Sequence, residues 1–404
     1  MKKHRIMIIG AGVAGAILAR RLSRLPELEV HCLEKVEPDD HSEAGTGLNV
    51  GPNAIKALQQ TDPELASAVI AASFPWNSWR TSLTSGENLF DLPLNTVADN
   101  PGIRIRWSEL YRVLRAGAGN TISYNTTISA IEASPTDTKR TRVTWSTGGV
   151  EHTLDDIDLL IGSDGRYSQT RATLSGAPQP RHVGVAITRT LVEDSSGGLI
   201  DDYEQWFQGP HRLLAFRVPA NHIYIAATFP IAKDGETPAD SKTAALMRST
   251  FLPAHGAPCA KVEWLIDALC SNLDHTHWAR MQESEVLYAD SQRQVMYLGD
   301  SAHGMVPTLG QGATQAIEDA CHAASIIERE VRAGNFDTRQ WLELVAQART
   351  ERVRFVMALS LLATDTMLEG ADPVAGTRWK TEQPFLDQLS RMYCEVDTGE
   401  SVSA

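Results

Sequence analysis

The sequence predicts an α/β fold in which a Rossmann-like domain carries an inserted antiparallel β-sheet and is followed by C-terminal helices. An apolar run at 6–9 enters a glycine-rich segment at 10–15, which is the pattern of a strand, a tight turn and the beginning of a helix. From about 180 to 285, strand-like segments separated by turn residues dominate. An apolar strand at 295–298 then restores the first pattern, so one domain interrupts the other.

Length and composition narrow the class of protein. The chain of 404 residues is long enough for two closely joined domains, and its net charge of −13 argues against nucleic acid or an anionic membrane as a partner. Its five cysteines are scattered without a C-x-x-C pair, which predicts reduced thiols and no zinc site. No stretch approaches the roughly 20 apolar residues of a membrane-spanning helix. We therefore expect a cytoplasmic protein without a bound metal.

The glycine-rich turn favours a dinucleotide as ligand. Gly10 allows the turn, Gly12 lets backbone N–H groups approach a pyrophosphate, and Gly15 lets the helix pack closely on the strand. The N-terminus of that helix then faces the anion. A second short strand at 28–33 ends at Glu34, which is placed to bind ribose hydroxyls. The turn by itself leaves open whether the dinucleotide is NAD or FAD.

A second motif follows a buried strand at 157–161. Asp164 and Gly165 form a turn there, and Arg171 lies on the helical turn that comes next. The Asp164 carboxylate can accept a hydrogen bond from a ribose hydroxyl, or it can hold the backbone turn itself. The Arg171 guanidinium can bind a phosphate or a carboxylate. Taken alone, this motif is most simply a turn.

A third motif follows the strand at 295–298. Asp300 stands at the end of that strand, before a loop that contains Pro307 and enters a helix at 310–313. The Asp300 carboxylate can bind a ribityl hydroxyl, and the free amides at the beginning of the helix can stabilise negative charge on a ring. Like the second motif, it is not specific on its own.

Together, the three motifs resemble in order and spacing the three fingerprints of the single-component flavoprotein aromatic hydroxylases, the group A flavin monooxygenases. The resemblance covers nearly the whole chain, including the glycine-rich segment 45–53. It is strongest towards the salicylate and 6-hydroxynicotinate hydroxylase branch, where the helix-entry sequence is similar to residues 310–313 and 317–320. It implies a para-hydroxybenzoate hydroxylase-like fold, non-covalently bound FAD, and NAD(P)H as a transient co-substrate.

The resemblance also implies which residues bind FAD. The ADP half would be held by the glycine turn and its acidic partner, and the ribityl chain by Asp300. The full set of implied cofactor-binding residues is Gly10, Gly12, Ala14, Gly15, Glu34, Lys35, Gly47, Arg106, Asp164, Asp300, Gly310, Gly312 and Ala313. One departure concerns Arg106. The family often has an arginine where this chain has Trp107, so either Arg106 takes over that contact or the aromatic ring replaces it.

On the substrate side, the resemblance points to a histidine. In the hydroxynicotinate hydroxylases a histidine follows a tryptophan on a strand of the middle region, as His211 follows Trp206 here. Loss of a phenolic proton makes the ring electron-rich, and a histidine near its usual pKa of about 6.5 suits that task. Alternatively, His211 is a turn residue after Gly209 and Pro210. Ala215 stands where those relatives have a tyrosine, so the same substrate is not implied.

Other residues are candidates for the substrate side. Pro307 would line the space beside the flavin ring, and it joins His211 in the catalytic set. A ring carboxylate could be bound by Arg189, Arg217 or His222, although alternation along a strand turns about half of such residues to solvent. We retain Arg217 as the substrate-binding residue that accompanies His211 and Pro307.

These patterns divide the chain into four segments. Residues 1–178 and 286–335 are expected to form the FAD-binding domain, 179–285 the substrate-binding β-sheet domain, and 336–404 a C-terminal helical region. In the last segment, three arginines of a predicted helix are expected to lie on a solvated face: Arg349, Arg352 and Arg354.

The expected activity is that of an FAD-dependent aromatic monooxygenase. As the resemblance implies, NAD(P)H reduces FAD, O₂ gives the flavin C4a-hydroperoxide, and one oxygen atom enters an activated ring of the hydroxybenzoate or hydroxypyridine carboxylate type. The protein would act as a monomer or homodimer. Alternatives are a flavin monooxygenase for a larger antibiotic or polyketide substrate and a non-catalytic flavin-containing ligand-binding protein. The Asp300 motif disfavours a further alternative, an NAD-dependent dehydrogenase.

Overall fold

A computed structural model describes residues 3–38, 46–233, 235–237, 242–396 and 398. Gly45, the first residue of the glycine-rich segment 45–53, lies outside these residues. Among the helices of the described residues, none combines the length and the apolar character needed to cross a membrane. The same part of the chain contains no cluster of three or more His, Cys, Asp or Glu side chains that could hold a metal ion.

The strands of the described residues are numbered in chain order. They are β1 His4–Ile9, β2 Leu28–Leu33, β3 Gly47–Val50, β4 Phe74–Trp76, β5 Ser78–Leu83, β6 Asn88–Pro93, β7 Gly102–Arg106, β8 Ile122–Ser123, β9 Thr126–Ala133, β10 Thr141–Thr147, β11 Val150–Ile157, β12 Leu159–Gly162, β13 Arg181–Glu193, β14 Glu204–Gln208, β15 His211–Val218, β16 His222–Pro230, β17 His277–Glu283, β18 Ala289–Asp290 and β19 Val295–Tyr297.

The α-helices of the described residues are numbered in the same way. They are α1 Val13–Leu22, α2 Pro52–Thr61, α3 Pro63–Ala71, α4 Trp107–Ala116, α5 Gln169–Leu174, α6 Ala244–Phe251, α7 Ala260–Ser271, α8 Gln311–Arg332, α9 Thr338–Leu362, α10 Pro373–Arg378 and α11 Gln383–Cys394.

The first sheet brings the three motifs together. Its strand order is β18-β19-β12-β1-β2-β8, and every pair is parallel except β18 with β19. The apolar residues of β1 and β12 are buried, as expected for a parallel sheet that helices cover on both faces. Because β1, β12 and β19 are neighbours, the segments that follow them lie side by side at the C-terminal edge of the sheet. These segments carry Gly10, Asp164 and Asp300.

The second sheet is predominantly antiparallel, with the order β17-β13-β16-β15-β14-β5-β6. Only the pair β14 and β5 is parallel among the pairs of this sheet in the described residues. Apolar side chains of α6 and α7 cover one face. The strands β5 and β6 come from residues 78–93, well before the segment in which the sequence predicts this sheet. The mixed α/β fold class with an inserted antiparallel sheet is confirmed, and the limits of the four segments stay a prediction.

The helix α9 packs against α8, and this contact overturns the expectation of a solvated arginine face. The side chains of Arg349 and Arg352 are only 1% and 14% exposed, because they bind acidic residues of α8. Arg354 is 60% exposed, as expected for a solvated residue. The prediction was therefore wrong for the two arginines that face α8.

Candidate active site

A cavity of about 310 Å³ lies between the C-terminal edge of the first sheet and the face of the second sheet that α6 and α7 leave uncovered. The first side of the cavity is lined by Gly12, Val13, Ala14, Gly47, Leu48, Asn49, Trp107, Tyr111, Ser163, Gly165, Arg166, Leu298, Gly299, Asp300, Met305, Pro307, Gly310, Gly312, Ala313 and Ala316. The side of the second sheet is lined by Ile187, Arg189, Tyr203, Arg212, Leu214, Phe216, Tyr224 and Ala226. The cavity therefore unites most of the residues that the sequence assigns to the cofactor.

The glycines of the first turn differ in why a side chain is absent: two of them leave no room for a Cβ atom, and the third borders open space. Gly10 has a φ of +92°, and a Cβ atom there would lie 2.6 Å from the carbonyl oxygen of Ser163. A Cβ atom on Gly15 would lie 1.9 Å from the carbonyl oxygen of Gly10. On Gly12, by contrast, the nearest atom would be the Ser163 oxygen at 3.9 Å. The packing of the chain thus requires Gly10 and Gly15, whereas Gly12 leaves open space beside the cavity.

Glu34 lies buried next to this turn. Its Oε2 accepts a hydrogen bond of 2.7 Å from the Ala11 N–H, and Nη2 of Arg115 lies 3.5 Å from the same oxygen. Neither Glu34 nor the exposed Lys35 lines the cavity. Their roles at the adenosine end of FAD stay predictions.

In the second motif, the structure shows Asp164 holding the backbone turn. Asp164 Oδ2 accepts hydrogen bonds from the N–H and the hydroxyl of Thr170, both at 2.9 Å, at the beginning of α5. Arg171 donates from Nη1 to the Ser301 carbonyl at 2.9 Å and pairs with the Glu285 carboxylate. Asp164 itself does not line the cavity, although its neighbours on both sides do. This motif therefore supports the third one structurally, and its direct contact with FAD stays a prediction.

The third motif places polar groups on the cavity wall. Asp300 is partly exposed, and its Oδ2 lies 3.7 Å from Arg166 Nε. Gly310 precedes α8 with a φ of +65°, and no side chain of the described residues caps the N-terminus of that helix. A Cβ atom on Gly312 would lie 3.8 Å from Asp300 Oδ1. Free amides and a carboxylate thus lie within one short stretch, with Pro307 on the same wall.

Of Arg106 and Trp107, only the aromatic residue lines the cavity. Trp107 lines the cavity, and its ring centroid lies 5.4 Å from that of Tyr111, another lining residue. Arg106 ends β7 and does not line the cavity, and its Nε has no hydrogen-bond partner among the described residues. The contact of Arg106 with FAD therefore stays a prediction, like those of Glu34 and Asp164, which do not line the cavity either.

Two arginines of the second sheet line the other wall of the cavity. Arg212 is only 3% exposed, and Nη1 is 3.5 Å from the Gln205 amide oxygen. The Nε atoms of Arg212 and Arg189 have no hydrogen-bond partner among the described residues. Burial lowers the pKa of Arg212, and the neighbouring groups that oppose this effect are the hydroxyls of Tyr203 and Tyr224 rather than a carboxylate. The wall therefore carries positive charge that no acidic side chain of the described residues neutralises.

The two tyrosines beside Arg212 are hydrogen-bond donors at neutral pH. Burial raises the pKa of Tyr203 to about 12 against the opposing effect of Arg212. Burial also raises the pKa of Tyr224, although Arg189 and Arg212 oppose it. Both hydroxyls therefore remain protonated beside the arginines and can donate to an anionic ligand.

Side chains of β15 alternate between the two faces of the second sheet. Arg212 and Leu214 line the cavity, whereas Leu213 and Ala215 belong to the apolar cluster under α6 and α7. The residues at odd positions of this strand therefore point away from the cavity.

His211 and Arg217 occupy such odd positions, which contradicts their predicted place at the substrate. The His211 ring centroid lies 5.7 Å from that of Phe229, and Arg217 pairs with Asp201 at 3.2 Å. Neither residue lines the cavity, and neither does His222. Of the three carboxylate-binding candidates, only Arg189 does so.

We expect His211→Gln to leave FAD binding and substrate turnover unchanged while it alters the pH dependence of stability. Burial lowers the pKa of His211, so the unfolded chain binds the proton more tightly than the folded protein. The wild type should therefore lose stability as the pH falls below about 6.5, and the variant should lose less. Denaturant unfolding at about pH 7.5 and about pH 5.5 measures the difference. Loss of turnover in the variant would contradict this prediction and indicate that His211 acts in the active site.

Sequence reasoning missed Arg212, Tyr203 and Tyr224. The sequence did contain one signal for Arg212: on its strand, this charged residue has the same alternation phase as Leu214 and Phe216. Both faces of β15 are buried, however, so its apolar residues do not reveal which face meets the cavity.

The residues present fit FAD. A dinucleotide requires a glycine turn with room for a pyrophosphate, and the open space at Gly12 provides it. The uncapped N-terminus of α8 can face a negatively charged ring, and Asp300 lies 3.8 Å from the position of a Cβ on Gly312 in that first turn. The three contributing segments meet at the C-terminal edge of one parallel sheet, which is where such folds bind nucleotides.

The fold and the site define a flavoprotein in which an FAD-binding fold and an antiparallel sheet share a cavity. The chain belongs to the FAD binding domain family, which matches residues 3–359. It is similar to 6-hydroxynicotinate 3-monooxygenase of Pseudomonas fluorescens, with 27% identity over 372 residues, 88% of this chain and 90% of that protein. It is also 27% identical over 400 residues to salicylate hydroxylase of Pseudomonas putida, covering 92% of this chain and 88% of that one.

A solved structure shows the same fold. Klebsiella pneumoniae HpxO complexed with FAD and uric acid superposes with a TM-score of 0.78 at 20% identity, over 96% of both chains. The predicted family of single-component FAD-dependent hydroxylases, the fold class and the FAD cofactor are therefore confirmed.

Proposed function

We propose that the protein is an NAD(P)H-dependent monooxygenase that hydroxylates an aromatic ring bearing an anionic group, such as a hydroxybenzoate or a hydroxypyridine carboxylate. The observation that carries this proposal is the buried guanidinium of Arg212 on the wall of the cavity that the FAD motifs line. A buried cation without an ionic partner destabilises a protein. An anionic substrate would offset that cost, which supports a carboxylate as the group that Arg212 binds.

The relatives and the size of the cavity support the same substrate class. The names 6-hydroxynicotinate 3-monooxygenase and salicylate hydroxylase both denote enzymes for small aromatic acids. A cavity of about 310 Å³ is also small, and the residues expected to contact the flavin line part of it. The remaining space suits a substrate of one or two rings better than a large polyketide.

FAD, when bound, would accept electrons from NAD(P)H and activate O₂. The residues of the chain bind and orient the ring against it. Arg212 and Arg189 attract the anionic group, and Tyr203 and Tyr224 donate hydrogen bonds beside them. Leu214 adds an apolar surface on the same wall, so the ring excludes water from this part of the cavity when it binds.

The ring hydroxyl must lose its proton without a nearby basic side chain. Among the described residues that line the cavity there is no histidine, and Asp300 is the one carboxylate, on the cofactor side. The positive charges of Arg189 and Arg212 instead lower the pKa of a phenol that binds next to them, because they favour its anionic form. The proton then passes to solvent as the ring binds.

The experiment that tests this function compares matched acids and amides. FAD-loaded protein is incubated in air with NAD(P)H and with aromatic carboxylates, hydroxypyridine carboxylates or their primary amides. We expect the acids to accelerate NAD(P)H oxidation and to yield a product one oxygen atom heavier, as mass spectrometry measures. The amides should be poor effectors because they lack the charge that Arg212 binds.

Two outcomes would contradict the proposal. Equal stimulation by acids and amides would show that Arg189 and Arg212 do not bind an anionic group of the substrate. An FAD-loaded protein that no aromatic acid stimulates, and that gives no oxygenated product, would favour a flavin-containing binding protein or a different, larger substrate.

A further inference from the structure

The loop that presents Asp300 to the cavity is held from the side opposite the cavity. Gly299 has a φ of +64°, and its N–H donates to Asp319 Oδ2 at 2.9 Å. Ser301 donates from Oγ to the Gly162 carbonyl at 2.6 Å, and its own carbonyl accepts from Arg171. The position of Asp300 therefore depends on contacts that its two neighbours make.

Asp319 uses both carboxylate oxygens in this arrangement, although it is fully buried and does not line the cavity. Oδ2, which binds Gly299, also lies 2.6 Å from Nε2 of His303, and a carboxylate only accepts, so this nitrogen carries the proton. Oδ1 accepts from the Tyr288 hydroxyl at 2.7 Å and from Arg349 Nε at 2.8 Å. The Asp319 side chain thus joins the loop that carries Gly299 and Asp300 to α9.

Arg349 keeps this carboxylate ionised in a buried environment. Burial alone would raise the pKa of Asp319, but His303 and Arg349 outweigh that effect and hold the pKa well below its usual range. Arg349 also donates to Glu318 Oε2 at 2.8 Å, and Arg352 binds Glu318 from the other side. Two carboxylates and two guanidinium groups therefore balance each other between α8 and α9.

We propose that Asp319 is a positioning residue for the flavin. Its carboxylate holds the Gly299 amide so that Asp300 meets the ribityl chain, and Arg349 is the cation that keeps this carboxylate ionised. The inference rests on FAD binding and not on the hydroxylation proposed above. A protein that binds FAD normally but hydroxylates nothing would overturn that function and leave this inference intact.

Glu318 provides a matched control for Asp319. Both residues are fully buried, adjacent on α8 and bonded to Arg349. Glu318 accepts from Asn53 and Gln315, and among the hydrogen bonds of the described residues it has none to the loop that contains Gly299. Replacing either carboxylate by its amide removes one buried charge from the same cluster. Only the change at 319 weakens the acceptor that binds the Gly299 N–H.

The test measures the Kd of FAD for the apoprotein by quenching of flavin fluorescence, in Asp319→Asn and Glu318→Gln. An amide at 319 has one acceptor oxygen for donors on both sides, so we expect the Kd to rise about tenfold or more. We expect a rise below about threefold for Glu318→Gln. The visible circular dichroism of the bound flavin should change in Asp319→Asn and not in Glu318→Gln.

Equal effects of the two variants on the Kd and on the flavin spectrum would overturn the proposal, since the cluster would then only support the fold. If Asp319→Asn does not fold, Arg349→Lys is measured against Arg354→Lys. The lysine at 349 keeps the charge but cannot donate from three nitrogens, and we expect weaker FAD binding and an altered flavin spectrum. The exposed Arg354 should tolerate the change. Wild-type values for Arg349→Lys would likewise overturn the proposal.

Discussion

Arg212→Met is expected to raise the Kd of an aromatic carboxylate at least about thirtyfold, which corresponds to about 2 kcal/mol. The methionine fills similar volume but removes the buried charge on the cavity wall. The same change should leave the thermal stability of the substrate-free protein unchanged or higher, because no carboxylate in the described part of the chain pairs with the guanidinium. Substrate titration followed by flavin absorbance, with a melting curve on the same sample, measures both effects.

Arg217→Met is the control for this prediction. Arg217 lies on the same strand in the opposite phase, is 42% exposed and pairs with Asp201, so its loss should leave substrate binding unchanged. A normal Kd in Arg212→Met, or a loss of similar size in Arg217→Met, would show that the arginine of the cavity does not bind the substrate.

Gly15→Ala is expected to destabilise the folded protein by about 3 kcal/mol, at the upper end of the usual cost of overpacking. The added Cβ would lie 1.9 Å from the Gly10 carbonyl oxygen and 2.5 Å from Ser163 Oγ, so α1 would have to move away from β1. Denaturant unfolding of the apoprotein measures this loss.

Gly12→Ala should separate packing from ligand binding. Among the described residues outside its own helix and chain neighbours, the added Cβ would lie closest to the Ser163 carbonyl oxygen, at 3.9 Å. Apoprotein stability should therefore fall by only about 1 kcal/mol, the cost of alanine at the helix N-cap position that Gly12 occupies. The methyl group enters the cavity side of the turn, so the Kd of FAD should rise about tenfold or more. A variant that binds FAD normally would show that the pyrophosphate does not approach at Gly12.

The sequence allowed the fold class and the cofactor side of the site to be predicted because those features are local. Gly10, Gly12 and Asp300 lie directly after strands whose apolar runs are visible in the chain, and parallel strands bring their ends to one edge. Packing itself requires glycine at positions 10 and 15, which explains why this part of the pattern can be recognised without a structure.

The substrate side was harder to predict because it depends on register and on distant partners. The positions of His211 and Arg212 relative to the cavity differ by one step of strand alternation, and both phases of β15 are apolar. Arg349 and Arg352 look solvated in sequence because their partner, Glu318, is 31 and 34 residues away on another helix. Which of Arg106 and Trp107 faces the cavity depends on side-chain direction at the point where β7 ends and α4 begins, and the sequence does not show that direction.

The composite origin of the two sheets has a consequence for how the protein can fold during synthesis. The first sheet lacks β19 until Tyr297 has been made, and the second takes β5 and β6 from a stretch that precedes its other strands by more than 80 residues. A nascent chain that ends before residue 277 therefore exposes the unpaired edge of β13, where β17 belongs. Neither sheet is made from one continuous stretch, and the last strands of the two sheets end at Glu283 and Tyr297, so we expect the chain to resist division into separately expressed halves.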